Sequence, residues 1–136
     1  MSKDMMPNLE LYQPVSVENA LDLLGRHGED AWRLAGGNDS YDWFKDKAKH
    51  PKALIDLTGI EALKGIRETA DGVEIGALTT LTEIERSLTV QTTYGLLADA
   101  ARRVASPQIR NSGTLGGNLC QDTRCWYYRY GLDCYR

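Results

Sequence analysis

The first half of the chain alternates short apolar stretches with amphipathic ones, and this pattern predicts alternating strands and helices. Strands are predicted over 9–15, 31–35 and 53–57. A helix is predicted over 16–27, because its apolar residues recur at helical spacing, Ser16 is suited to cap its start and Gly28 to end it. A weaker helix is predicted over 41–48. The order strand–helix–strand–helix–strand is typical of a small, mostly parallel α/β lobe.

In the second half, apolar and polar residues alternate one by one from Gly65, which is typical of a hairpin with one exposed face. Strands are predicted over 65–69 and 73–77, with a turn at Asp71-Gly72. Helices are predicted from Thr82 and over 94–104, and a glycine-rich loop after Ser106-Pro107. The change of pattern near 58–64 predicts a first lobe, 1–60, and a second lobe, 61–136.

Composition narrows the class of protein. The chain has 136 residues, of which 42% are hydrophobic and 26% charged, as in globular proteins that fold in water. Its net charge of −3 argues against a nucleic-acid-binding protein, which usually has a basic face. We expect no membrane span, because no apolar run approaches the roughly 20 residues required. No secretory signal is visible at the start, so a cytoplasmic location is expected.

Two glycine turns are the clearest candidates for a binding function. They are LAGGNDS at 34–40 and GTLGGNL at 113–119, and each joins Gly-Gly to an asparagine and a hydroxyl residue. Backbone without side chains can curl until successive N–H groups point into one concavity, which suits an anion such as a diphosphate. Glycine pairs also occur in ordinary turns, and neither stretch is a known nucleotide-binding fingerprint. Composition and spacing leave both interpretations open.

Several stretches resemble, in the same order, the flavin-bearing subunit of the molybdenum hydroxylases, the family of xanthine dehydrogenase and carbon monoxide dehydrogenase. They are AWRLAGG at 31–37, AGGNDS at 35–40, ALIDLTGIEALKGI at 53–66, VEIGALTTLTEIERS at 73–87 and LADAARRVASPQIRNSGTLGGN at 97–118. Together they cover most of residues 9–120, and the last stretch is long and specific.

The resemblance implies an α+β, two-lobed FAD-binding fold of the vanillyl-alcohol-oxidase (PCMH) type, with the second lobe incomplete and FAD extending between the lobes. In this family both glycine turns wrap the FAD diphosphate. The implied cofactor-binding residues are Leu34, Ala35, Gly36, Gly37, Asn38, Asp39, Ser40, Ala105, Gly113, Thr114, Leu115, Gly116, Gly117 and Asn118. Asp39 departs from the family pattern, and a carboxylate beside a diphosphate must be hydrogen-bonded or turned away. Arg110, near the second turn, is either a further charge partner or a solvated loop arginine.

The tail from residue 119 resembles one branch of the family, the flavin subunit of hydroxybenzoyl-CoA reductase and its relatives, through DTRCWYY at 122–128. That resemblance implies that Cys125 and Cys134 are ligands of an additional four-iron, four-sulfur cluster. Such a cluster needs four thiolates and the chain has three cysteines, so other ligands would lie on missing residues or another chain. The alternative is that both are ordinary thiols in an exposed tail, as is expected of Cys120.

The resemblance implies a FAD-binding, electron-transfer subunit of a molybdopterin-dependent hydroxylase or dehydrogenase, an oxidoreductase component that does not act on substrate alone. No catalytic side chain is predicted. The implied partners are a molybdopterin-binding large subunit and a small subunit with two-iron, two-sulfur centres. Because the family's flavin subunits are longer, we hypothesise a split or truncated flavin subunit, completed by a separate chain that carries the rest. The alternative is a truncated structural or assembly subunit that keeps the scaffold without binding FAD productively.

Overall fold

The computed structural model describes residues 5–133, which form two sheets and a set of short helices. The strands are β1 Glu10–Tyr12, β2 Ala31–Leu34, β3 Ala53–Asp56, β4 Ile66–Thr69 and β5 Gly72–Ile75. The helices are α1 Val17–His27, α2 Asn38–Lys45, α3 Leu81–Arg86, α4 Leu88–Thr93, α5 Gly95–Arg103, α6 Pro107–Ser112, α7 Leu115–Leu119 and α8 Trp126–Arg129. The predicted mixture of helix and strand is confirmed.

The first sheet is parallel, in the order β1-β3-β2. Its middle strand β3 is the most buried, because α1 packs on the sheet and both neighbours pair with it. The second sheet is the antiparallel hairpin β4-β5. The predicted strands agree with these pairings, but the turn at Asp71-Gly72 is misplaced by one residue. Gly72 already pairs with Thr69, so Ala70 and Asp71 form the turn.

Local signals account for the helix ends that the sequence predicts correctly. The Ser16 side chain accepts a hydrogen bond from the Asn19 N–H (3.1 Å) at the start of α1, and Gly28 ends the helix with φ of 51°. At the start of α3, Thr80 and Glu83 form a capping box in which each side chain bonds the other residue's backbone N–H. These contacts satisfy backbone groups that helix ends would otherwise leave unpaired.

Five of the helices in residues 5–133 differ from the prediction: α4 and α8 were not predicted, and α2, α6 and α7 differ in bounds or type. The helix predicted over 41–48 begins three residues earlier, directly after Gly37, and is α2. The loop predicted after Ser106 contains α6 and α7 instead, separated by Gly113 and Thr114. Ser106 caps α6 with Pro107 at its first position, and Thr114 caps α7, so the local signals for both helices were present despite the glycines.

The core consists of three apolar clusters. One lies among α3, α4 and α5, a second between α1 and the parallel sheet, and a third on the α2 side of that sheet. Leu78 belongs to the second cluster and Tyr128 packs on the third, so both cross the predicted boundary at 60/61. The division into lobes at that point stays a prediction. Within residues 5–133, no helix has both the length and the apolar composition needed to cross a bilayer.

Candidate functional site

The two glycine turns, 34–40 and 113–118, lie against each other through their main chains. The first turn leaves the carboxyl end of β2 and leads into α2, while the second joins α6 to α7. A Cβ added to Gly36 would lie 2.1 Å from the carbonyl oxygen of Ser112 and 3.1 Å from Cα of Gly113. Only glycine fits at position 36, because any side chain would occupy space already filled by the other turn.

Asn38 connects the two turns by side-chain hydrogen bonds. Its Nδ2 group lies 3.3 Å from the Ile109 carbonyl oxygen and 3.2 Å from Oγ of Ser112. The Ser112 hydroxyl in turn lies 3.3 Å from Oδ1 of Asn38, so each of the two side chains donates one hydrogen bond to the other. The first residue of α2 thereby anchors this helix to the end of α6.

The first turn presents open hydrogen-bond donors. Gly37 precedes α2 in the left-handed conformation (φ 78°), and the helix start has no side-chain cap. The backbone N–H groups of the first helical turn, Asn38 to Ser40, point out of the helix start, where the helix dipole is positive. An uncapped helix start of this kind suits an anionic group such as a phosphate.

The second turn is tied to the protein by its own N–H groups. Leu115 N–H donates to the Thr79 carbonyl (2.9 Å), Gly116 N–H to the Ala77 carbonyl (2.8 Å), and Gly117 N–H to the hydroxyl oxygen of Thr114 (3.1 Å). The Asn118 N–H donates to the Thr114 carbonyl (3.0 Å). The second turn is therefore a rigid wall, and the open backbone donors come from the first.

Three further residues of the predicted site are Leu34 and Ser40, at the two ends of the first turn, and Ala105, which precedes α6. Leu34 is buried at the end of β2, and the Ser40 hydroxyl accepts a hydrogen bond from the Trp32 indole N–H (2.9 Å). Ala105, between α5 and α6, has φ of 42°, a conformation that side chains disfavour. A non-glycine residue in that conformation persists only where the surrounding structure holds it, as it does near binding sites.

Asp39 is bound by two arginines of the tail. Its Oδ1 atom accepts from Arg124 at 2.7 Å and from Arg129 at 3.3 Å. The guanidinium of Arg129 also lies 4.6 Å from the centre of the Trp43 ring. A carboxylate beside a diphosphate has to be hydrogen-bonded or turned away, and the two arginines supply hydrogen bonds to Asp39. The sequence analysis missed both arginines, because they are 85 and 90 residues away and no local pattern marks them.

Arg110 is neither a solvated loop arginine nor an open charge partner. Its Nε donates to the Glu85 carboxylate (3.0 Å) and its NH1 group to the Val104 carbonyl (3.1 Å), with 12% of the side chain exposed. These bonds fasten α6 to the end of α3 and α5. Its role in the described structure is to hold the helix before the second turn.

A polar cluster fastens the tail to the segment between α2 and β3. Lys49 lies 3.2 Å from the Asp122 carboxylate, and the Tyr128 hydroxyl bonds both side chains, at 2.9 Å to Lys49 and 3.0 Å to Asp122. The backbone N–H of Thr123, together with Lys49 and Tyr128, lowers the pKa of Asp122 to about 2. The hydrogen bond from Lys49 to Tyr128 and the nearby carboxylate raise the pKa of Lys49. This cluster keeps α8 on the first lobe.

The two tail cysteines that the structure describes, Cys120 and Cys125, form no metal centre with other described residues. Cys125 precedes α8 and is half-buried, while Cys120 is exposed. Cys134, the second proposed cluster ligand, lies outside the described residues. Among residues 5–133, no three His, Cys, Asp or Glu side chains are grouped so that they could hold a metal ion. The iron–sulfur site therefore stays a prediction.

A separate open hollow of about 430 Å³ lies at the amino ends of the strands of the parallel sheet. It is lined by residues that precede the strands or flank them: Asn8, Leu9, Glu10, His27, Asp30 and Lys52. Open parallel sheets bind ligands at the carboxyl ends of their strands, which is where the first glycine turn begins. The glycine turns are therefore the stronger candidate for the binding site.

Sequence comparison supports the family indicated by the motifs. Residues 7–125 match the family described as the FAD binding domain in molybdopterin dehydrogenase. The chain is 43% identical over 113 residues to the carbon monoxide dehydrogenase medium chain of Hydrogenophaga pseudoflava, covering 83% of this chain and 39% of the relative. It is 36% identical over 115 residues to the nicotinate dehydrogenase FAD-subunit of Eubacterium barkeri, covering 84% and 39%.

Solved structures confirm the predicted fold over the matched region. Carbon monoxide dehydrogenase from Hydrogenophaga pseudoflava, in a form that lacks the Mo-pyranopterin moiety, matches with a TM-score of 0.83 and 43% identity, covering 85% of this chain and 40% of that one. Quinoline 2-oxidoreductase from Pseudomonas putida 86 matches with a TM-score of 0.80 and 28% identity. The chain spans about two fifths of the length of these relatives. It belongs to the family of FAD-binding domains of molybdopterin dehydrogenases.

Proposed function

We propose that this chain binds FAD at the junction of its two glycine turns and serves as the electron-transfer component of a molybdopterin-dependent hydroxylase or dehydrogenase. The observation that carries the proposal is the uncapped start of α2, held against the rigid second turn. The proposal is also supported by the names of relatives, one of which is the nicotinate dehydrogenase FAD-subunit.

The residues at this junction fit a diphosphate. The first turn offers unpaired backbone donors at the positive end of a helix, and backbone donors match phosphate charge without ordering a long side chain. The second turn lies close to the first because Gly36 has no Cβ, and it is fixed from behind by Gly116, where a Cβ would lie 2.9 Å from the Ala77 carbonyl oxygen. The residues proposed to hold FAD are those of 34–40 and 113–118, together with Ala105.

The chain's own contribution is to bind and orient the cofactor. FAD supplies the redox chemistry when bound, since a flavin accepts and passes on electrons singly or in pairs. The turns hold its charged middle, and the ion pair of Arg110 with Glu85 holds the second turn in place. No side chain of this chain is assigned a proton-transfer role.

Two partner subunits complete the proposal. A molybdopterin-binding large subunit would act on the substrate, and a small subunit with two-iron, two-sulfur centres would pass electrons to FAD. Further sequence corresponding to the rest of the relatives' length would complete the flavin subunit, because this chain matches two fifths of it. A nicotinamide nucleotide, a quinone or a ferredoxin would be the electron acceptor, and the protein would work in the cytoplasm.

Two substitutions at Ser40 test the site, because aspartate and asparagine have nearly the same shape and differ in charge. Ser40→Asp places a carboxylate at the third position of α2, where acidic side chains stabilise a helix and an oxygen can still accept from Trp32. The same carboxylate would repel a diphosphate a few ångströms away, and we expect FAD content to fall about tenfold or more. Ser40→Asn is the neutral control and should retain FAD.

The measurement is the FAD released by heat from the purified protein, isolated with its partner subunits, and quantified by chromatography. Both variants should melt within a few degrees of the wild type. If the wild-type assembly carries no flavin, the proposal fails and the structural or assembly role is favoured. If Ser40→Asp keeps its FAD, the cofactor lies elsewhere.

A further inference from the structure

The tail helix α8 lies beyond the region that matches the family, yet it packs on the lobe that carries the first glycine turn. The family match ends at residue 125, and α8 covers Trp126–Arg129. Tyr128 packs edge-on against Trp43, with ring centres 5.7 Å apart, and Arg129 lies over the same ring. The family therefore assigns no role to this helix, although it contacts α2, the helix whose start faces the proposed cofactor.

We propose that Arg124 and Arg129, held by Asp39, form a cationic wall of the diphosphate site at the first turn. This inference rests on the proposed FAD function. Asp39 alone would add a negative charge beside an anionic ligand. With both arginines on its Oδ1 atom the local charge becomes +1, the sum of one carboxylate and two guanidinium groups. The tail thus reverses the sign of the charge that Asp39 brings to this turn.

The position of Asp39 places that charge at the start of the helix. Asp39 is the second residue of α2, and side chains on a helix tilt toward its N-terminal end. The guanidinium groups that bind its carboxylate are consequently held near the open N–H groups of the same turn. Arginine binds phosphate oxygens through two parallel N–H bonds, which a single lysine cannot do.

Arg129 is already held rigidly for such a contact. Only 15% of its side chain is exposed, its guanidinium stacks on Trp43, and one N–H group bonds Asp39. Among the described residues, its buried Nε has no hydrogen-bond acceptor. Buried donors are nearly always paired in folded proteins, so an acceptor from a ligand at this turn would complete the arrangement.

Arg124 makes the cleaner test, because its side chain is 62% exposed and contributes little to packing. Arg124→Gln removes the charge, and Arg124→Lys keeps it. Arg26→Gln is the matched control: Arg26 is another exposed arginine, 67% accessible, paired with Asp22 on α1. Each variant is made in the assembly that carries FAD, stripped of flavin, and titrated with FAD and with riboflavin, which has no phosphate, by quenching of flavin fluorescence.

We expect Arg124→Gln to weaken FAD binding about fivefold to tenfold and Arg129→Gln about tenfold or more, since each loses a charge-assisted contact. Arg124→Lys should recover only part of the loss, because it keeps the charge but cannot make two parallel N–H bonds. Arg26→Gln should match the wild type, and riboflavin binding should not change. The dependence of FAD affinity on salt should also become shallower in Arg124→Gln, because fewer charges take part.

Equal FAD affinity in Arg124→Gln, Arg129→Gln and Arg26→Gln would overturn the inference while leaving the proposed function intact. The inference is also overturned if riboflavin binding falls as much as FAD binding, since the arginines would then support the fold alone. A wild-type assembly that binds neither FAD nor riboflavin refutes the proposed function instead. Melting temperatures of all variants identify any loss caused by unfolding.

Discussion

The contact between the two glycine turns depends on the absence of one side chain, at Gly36. Gly36→Ala would place a Cβ 2.1 Å from the Ser112 carbonyl oxygen, a distance at which atoms overlap. Gly36 is not among the residues with positive φ, so the backbone angles suit alanine and the cost arises from the contact alone. The two turns would have to move apart by about 1 Å to reach even a tight separation of 3.0 Å.

The size of the effect follows from that displacement. Overpacking by one carbon typically costs about 1–3 kcal/mol, and here the obstacle is backbone rather than a flexible side chain. We therefore expect a loss of about 3 kcal/mol in the free energy of unfolding, which lowers the melting temperature of a chain of this size by about 10 °C. Urea denaturation followed by circular dichroism measures the first quantity, and a thermal scan the second.

Gly25→Ala is the matched control. Gly25 lies inside α1, and a Cβ there would meet no atom within 4 Å. Alanine is the better helix former by about 1 kcal/mol, so this variant should be slightly more stable than the wild type. A loss of less than about 1 kcal/mol in Gly36→Ala would refute the close contact between the turns. FAD content should fall in Gly36→Ala and stay unchanged in Gly25→Ala.

Three further predictions concern the tail and α3. The Thr123 N–H and Lys49 hold the pKa of Asp122 near 2, below the ordinary 3.8, so the ionised Asp122 should stabilise the fold fully above pH of about 4 and progressively less as the pH falls towards 2. Unfolding followed by tryptophan fluorescence should show this loss in the wild type, and Asp122→Asn should lack that part of the pH dependence. Thr80→Ala removes the cap of α3 and should cost about 1 kcal/mol in urea denaturation, so an unchanged midpoint would contradict the capping box. Tyr128→Phe keeps the ring but loses two hydroxyl hydrogen bonds, and should cost about 1 kcal/mol against about 3 kcal/mol for Tyr128→Ala; equal losses would show that the ring packing is unimportant.

Local sequence determined the parts of the fold that depend on neighbouring residues. Ser16 and Gly28 mark the ends of α1 because a hydroxyl cap and a left-handed glycine each satisfy backbone groups within one turn. Alternating apolar residues predicted the hairpin, and buried stretches predicted the parallel strands. The glycine turns by themselves left the ligand open, whereas the five longer stretches between 31 and 118 indicated the family, which the comparisons confirm.

In the second half, the glycine content led to a wrong prediction although similar capping signals were present. The stretch after Ser106 was predicted as a loop because glycine disfavours helices, yet α6 and α7 form there. Ser106 and Thr114 cap these short helices. Hydrogen bonds to residues 77 and 79 hold α7, and those of Arg110 to Glu85 and Val104 hold α6. Tertiary hydrogen bonds stabilise helices that intrinsic preference alone would not.

Only the tertiary structure decided what surrounds the proposed site. The approach of Gly36 to Ser112 joins residues 76 positions apart, and the binding of Asp39 by Arg124 and Arg129 spans 85 and 90. A glycine in a sequence shows that a Cβ is absent, without showing which atoms occupy the space. An aspartate likewise shows its charge, without showing which cations neutralise it. Steric contact and electrostatic pairing depend on distance in space, and the folded chain alone sets that distance for residues so far apart in sequence.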